Sequence, residues 1–212
     1  MAADDDLRRI ENRTLAHYSA NAAEFWLGTK DHDVAQNYAA FLAACLEGKP
    51  AGSVLDILDF GCGPGRDLLH FKSLGHRPVG LDGCADFCRM ARDYAGCEVL
   101  QQNFLQLQLA PQSFDGIFAN AALFHVPASE LPRVLGELHA ALRADGILFS
   151  SNPRGHGEGW SGSRYGHWME LEDSERYWRQ AGFEIVDHYY RPAGRPCAEQ
   201  PWLALVSRKR DP

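Results

Sequence analysis

The strongest constraint on this chain is the spacing Asp59-x-Gly61-x-Gly63-x-Gly65. Before it, VLDILD (residues 54–59) is a short apolar run that reads as a strand and stops at the glycines. After it, residues 66–74 carry Leu68, Leu69 and Phe71 at helical spacing, with Gly75 as the stop. A glycine-rich turn between a strand and a helix lets a ligand approach backbone N–H groups at the helix N-terminus. A Walker A loop would need Gly-Lys-Ser/Thr, but Arg66-Asp67 stands there, and a GxGxxG fingerprint would need glycine where Arg66 is. An acid two places before the first glycine suits a cationic ligand end, such as an amino group, better than a pyrophosphate. Asp82 ends a second strand, residues 77–82, where a carboxylate can accept hydrogen bonds from both hydroxyls of a ribose.

The rest of the chain keeps this alternation. Residues 84–94 read as a helix ended by Gly96, 98–103 and 114–120 as strands, and 130–143 as a helix with Ser129 as N-cap. Asp145-Gly146 turns the chain into a fifth strand, GILFSSN. The class is therefore α/β, a Rossmann-like doubly wound sheet with helices on both faces. After a helix over 171–181, strands at 183–191 and 202–209 are joined by a Pro/Gly-rich link with no helical pattern, which suits an antiparallel hairpin and brings the sheet to seven strands. Residues 1–212 read as one domain, with cap helices at 7–20 and 32–47 inside residues 1–50. The core spans 51–212, and a long polar loop over 152–170 is expected to serve the site.

Composition narrows the ligand. The net charge of −7 disfavours a protein held to nucleic acid by phosphate contacts and favours a small-molecule substrate. No run approaches the roughly 18 apolar residues needed to span a membrane, and MAADDDLRRIENR is not a secretory signal, so a cytoplasmic location is expected. The six cysteines form no CxxC and read as reduced thiols; His32, His125, His156 and His167 include no i, i+4 pair, so no metal is expected.

The acid, the glycines and Asp82 together resemble a class I S-adenosylmethionine-dependent methyltransferase. The resemblance implies S-adenosylmethionine as cofactor, with Asp59, Gly61, Gly63 and Gly65 beside its methionine part and Asp82, followed by Gly83, on its ribose. Members often carry an acid after strand three that holds the adenine amino group. Here Gln102-Asn103-Phe104 stands instead, so an amide is expected to substitute, with Asn103 and Phe104 at the base. Asn120 and Ala121 would lie at the sulfonium and amino end, Leu123-Phe124-His125 would face the methyl, and Tyr18 and Trp26 would cover the cofactor.

Several segments are similar to the methyltransferase domain of ovothiol-biosynthesis enzymes: FWLGTKDHDVAQN (25–37), ILDFGCGPGRDL (57–68), FANAALFHVPASELPRVL (118–135), FSSNPRG (149–155), and HYYRP with QPWLA. That resemblance implies transfer of a methyl group to an imidazole nitrogen of 5-thiohistidine, giving ovothiol A. In those enzymes the domain usually follows an iron-dependent sulfoxide synthase. This 212-residue chain is expected to be a free-standing version whose synthase acts as a separate protein of the same pathway. The alternative acceptors are another small thiol, amine or carboxylate, and a silent fold acting as a binding partner is the remaining class.

For an amino-acid substrate, Lys30 or Arg154 is expected at the carboxylate, Asp31 or Asp33 at the ammonium, and Phe124, His125, Asn152 or Tyr165 around the ring. Phe124 and His125 are the positioning candidates at the reacting atoms. Asp31 reads equally well as a helix N-cap.

Overall fold

The computed structural model describes residues 2–210. Three helices precede the sheet: α1 (Ala2–Ala20), α2 (Ala22–Thr29) and α3 (Ala35–Leu46). The main sheet is built from β1 (Asp56–Phe60), β2 (Arg77–Asp82), β3 (Val99–Gln101), β4 (Phe114–Asn120), β5 (Leu142–Pro153), β8 (Phe183–Arg191) and β9 (Trp202–Lys209). Its order is β3-β2-β1-β4-β5-β9-β8. The first five strands pair in parallel, and β9 runs antiparallel to both β5 and β8, so it alone is reversed. The expected seven-stranded sheet with an antiparallel last strand is present, and the terminal hairpin enters it with β9 innermost.

Helices α4 (Arg66–Ser73), α5 (Ala85–Ala95), α6 (Leu131–Ala141) and α7 (Leu171–Gln180) make the crossovers. Periodicity explains which face each one buries. On α6, Leu131, Val134, Leu135 and Leu138 are fully buried against the sheet, each contributing roughly 1.5–3 kcal/mol. On the other face α3 packs Phe41 against Phe71, Phe118 and Phe149, with the last two rings stacked 4.9 Å apart. That approach is close enough that a Cβ on Gly116 of β4 would lie 2.6 Å from the Phe41 ring. The strand order reverses between β1 and β4, and their carboxyl ends part to leave the crevice where open α/β sheets bind ligands.

Four expectations change. The polar loop after β5 is ordered as a hairpin of β6 (Gly157–Ser161) and β7 (Arg164–Trp168), a separate two-stranded sheet. Its glycines mask any strand signal, and the hairpin is held from outside: Arg13 of α1 donates to Gly162 O and lies over the Trp160 ring, and Tyr165 N–H donates to Thr14 Oγ1. The segment 25–30 between the two expected cap helices is mostly helical as well, as part of α2, fixed by Phe25 packing on Tyr18 and Phe87. The second cap helix starts at Ala35 rather than at 32, because Asp33 Oδ1 accepts the Ala35 N–H at 3.0 Å. Asp31 is therefore not the cap. Nor does Ser129 cap α6, whose flanking residue is Glu130 with Pro132 in the first turn.

Candidate active site

The carboxyl ends of β1, β2, β3 and β4 form the floor of a cavity of about 590 Å³, and α1 and α2 form its roof. The loop after β1 is shaped by its glycines. Gly61 sits at φ 77°, and a Cβ there would lie 2.5 Å from the Ala122 Cβ. Gly63 faces the cavity: an added Cβ would meet only Phe25, at 3.8 Å. Gly65 turns away and lets α4 approach the Ala91 backbone on α5, so it shapes the loop without lining the cavity.

Asp82 ties this loop to the next. Its Oδ2 accepts the Gly63 N–H at 3.0 Å and its Oδ1 the Cys84 N–H at 2.8 Å. Burial pushes its carboxyl up to about 6 against the opposing pull of these N–H groups. It lines the cavity with Gly83, and its oxygens keep acceptor capacity for a diol. Asp59 does not line the cavity. It lies beneath the loop, 1% exposed, with Oδ2 unpartnered, and burial reinforced by Asp67 and Asp82 raises its carboxyl well above the usual range. The acid that reaches the cavity from this corner is Asp67, held by Arg66 and by the Tyr38 hydroxyl.

At the end of β4, Asn120 Oδ1 accepts from Asn37, and Ala121 adopts φ 60° with its N–H on Ser151 O at 2.7 Å. A left-handed alanine costs roughly 1–2 kcal/mol, so the neighbouring strands hold this bend against strain. It leads into a 3₁₀ turn, Leu123–His125, fixed by the Phe124 N–H donating to Asn152 Oδ1 at 3.2 Å. His125 then meets two partners. Nδ1 lies 2.6 Å from the Tyr165 carbonyl oxygen, which only accepts, so Nδ1 carries the proton. Nε2 therefore accepts the Tyr18 hydroxyl at 2.7 Å. Burial, aided by Arg164, lowers His125 to about 4, and the imidazole is neutral.

Residues 57–146 match the family model for a methyltransferase domain. That stretch of the chain is similar to a methyltransferase domain. The chain is 29% identical over 145 residues to malonyl-[acyl-carrier protein] O-methyltransferase of Pectobacterium atrosepticum, covering 68% of this chain and 55% of that protein. It is 32% identical over 111 residues to trans-aconitate 2-methyltransferase of Azoarcus sp., covering 51% and 43%. The chain thus spans about half the length of these curated relatives. The solved 1,6-didemethyltoxoflavin-N1-methyltransferase of Burkholderia thailandensis, with bound 1,6-didemethyltoxoflavin and S-adenosylhomocysteine, shares the fold at a TM-score of 0.73 and 23% identity, over 94% of this chain and 88% of that one.

The residues present fit S-adenosylmethionine as cofactor. The open backbone at Gly63, the Asp82 carboxylate and the apolar floor at Phe104 line one continuous wall. Of the sequence candidates, Tyr18, Trp26, Gly61, Gly63, Asp82, Gly83, Asn103, Phe104, Asn120, Ala121, Asp33, Phe124 and His125 reach the cavity. Lys30 and Asp31 pair with each other on the surface. Asn152 and Tyr165 act from behind, on Phe124 and His125. Arg154 is committed elsewhere: it pairs with Glu170 at 2.9 Å, lies 4.6 Å over the Tyr190 ring and donates to Cys197 O. Glu11, Arg164 and Arg191 reach the cavity without having been expected there. Glu11 was legible in part, since it lies one and two helical turns before Leu15 and Tyr18 on the same face of α1. Arg164 sits in a stretch with no motif, and Arg191 lies in the HYYRP segment, where it was not singled out.

Among the described residues no helix is long and apolar enough to cross a membrane.

Proposed function

We propose that the chain is an S-adenosylmethionine-dependent N-methyltransferase that methylates an imidazole ring nitrogen of 5-thiohistidine to give ovothiol A, alongside a separate sulfoxide synthase. One observation carries the choice of an amino-acid acceptor: Arg164 and Arg191, a carboxylate from Asp33 and the neutral His125–Tyr18 pair all line the one cavity. Among the described residues Arg164 makes no ion pair with a carboxylate, so it takes over the carboxylate-binding role expected of Arg154. The stretches of similarity to ovothiol enzymes supply the identity of the ring.

The cofactor supplies a methyl group already activated on its sulfonium. The protein's part is alignment, which for a well-oriented pair is worth roughly 7–11 kcal/mol of barrier. His125 holds its own proton on Nδ1 and takes the Tyr18 proton into a hydrogen bond at Nε2. The Tyr18 oxygen, which Arg164 also faces, keeps a lone pair suited to the ring N–H that is not methylated, and this turns the lone-pair nitrogen toward the transferring carbon. Phe124 beside His125 gives the ring an apolar neighbour. No strong base is required, because a thiol-bearing imidazole offers an unprotonated nitrogen near neutral pH.

The test is incubation with S-adenosylmethionine and 5-thiohistidine, followed by mass spectrometry. Addition of one methyl to a ring nitrogen supports the proposal. Absence of product, alongside turnover of another small thiol, amine or carboxylate, overturns it.

A further inference from the structure

The end of the cavity beyond Asp82 lies between the loop after β3 and helix α1. Leu15 closes it from above, its side chain 3.0 Å from where a Cβ on Gly83 would be. Phe104, stacked on Phe60 at 4.2 Å, gives it a flat apolar floor. Its polar edge consists of Asn103 and Glu11. Asn103 Oδ1 is taken by the Leu105 N–H at 2.7 Å, so its free amide group serves as a donor and is a poor partner for another donor. Glu11, one helical turn before Leu15, shares this edge, where the Asn103 amide partly offsets the rise that burial gives its carboxyl, and it is the acceptor here.

An aminopurine presents a donor, its exocyclic amine, beside an acceptor, the adjacent ring nitrogen. A carboxylate beside an amide N–H is the complementary pair. We propose that Glu11 of α1 reads the exocyclic amine of the cofactor's adenine while Asn103 donates to the ring nitrogen beside it. The acid thus comes from the cap helix, and base identity is checked by the element that roofs the site. This rests on S-adenosylmethionine being the cofactor.

A 6-oxopurine reverses both polarities, which supplies the test. Binding of S-adenosylhomocysteine and of S-inosylhomocysteine is measured by calorimetry for the wild type and for Glu11→Gln, with melting curves as a check on folding. The wild type should favour the adenosyl ligand by at least about tenfold, the range expected when a hydrogen bond to a charged group is lost. Glu11→Gln, whose amide can donate or accept, should bring the two affinities within about threefold while melting like the wild type. An unchanged preference in Glu11→Gln overturns the assignment. So does an equal loss for both ligands, which would make Glu11 a packing residue. If the wild type binds no S-adenosylhomocysteine, the cofactor reading itself fails, and that outcome is distinct from either of these.

Discussion

The two walls of the cavity are made in different ways. The cofactor wall is mostly backbone: the loop after β1, the end of β2 and the bend after β4, fastened by hydrogen bonds such as Gly63 N–H to Asp82. The acceptor wall consists of side chains brought from far apart, with Tyr18 of α1 bonded to His125 and His125 in turn to Tyr165 of β7. A backbone wall can be shared among enzymes with different acceptors, because it recognises only what they have in common. A side-chain wall changes with each substitution on the cap or the hairpin, and under the proposed function that is where acceptor choice would be set.

The largest expected effect separates the walls directly. Asp82→Ala removes both the ribose acceptor and the tie to Gly63, and should weaken S-adenosylhomocysteine binding by about 100-fold or more in a titration. His125→Ala, on the other wall, should lower kcat about 30-fold by releasing Tyr18, while leaving S-adenosylhomocysteine affinity within about twofold. Equal effects of the two variants on cofactor affinity would break the comparison.

A pH titration sharpens it. With the Asp82 carboxyl near 6 in the free protein, hydroxyl donors bind the ionised form better, so cofactor affinity should fall as pH drops through that value. At pH 5 about a tenth of Asp82 is ionised, and S-adenosylhomocysteine should bind about tenfold more weakly than at pH 7.5. Asp82→Asn should flatten that dependence. His125, already neutral above about 4, should add nothing to the profile between pH 5 and 8.

The smallest effect concerns Arg154. As a pin between the end of β5, Glu170 and the β8–β9 link, its replacement by alanine should lower Tm by about 2–4 °C per kcal/mol lost and leave the acceptor KM within about twofold. A tenfold rise in KM would return Arg154 to the site.

What the sequence showed follows the same division. The glycine spacing, Asp82 and the alternating strands are local signals, each decided by neighbours a few residues away, and the structure has the sheet they predict. Asp59 was found as a motif residue, but spacing does not show whether an acid faces a ligand or lies beneath its loop. Helix α2 carries no clean periodicity; Phe25 gains its environment from Tyr18 and Phe87. The β6–β7 hairpin is glycine-rich and polar, and its contacts with Arg13 and Thr14 lie about 150 positions away in the chain. Arg164 arrives with that hairpin. Arg154 was chosen because it follows a strand end, where ligands bind in such sheets, but Glu170 competes for it at close range.

The inner position of β9 has a consequence for the order of synthesis. Among the described residues strand β8 pairs with β9 alone, and the outer edge of β5 is covered only by β9. A ribosome has therefore made the eight other strands described above before the one that joins the sheet's two parts. Through that interval the nascent chain carries an open edge along Leu148 and Phe149, whose unpaired N–H and C=O groups invite pairing with a neighbouring chain. Lys209 closes it, its ammonium buried and donating to the carbonyls of His139 and Leu142. Yield of folded protein should depend more on how fast residues 202–209 leave the ribosome than on any step in the cofactor-binding half.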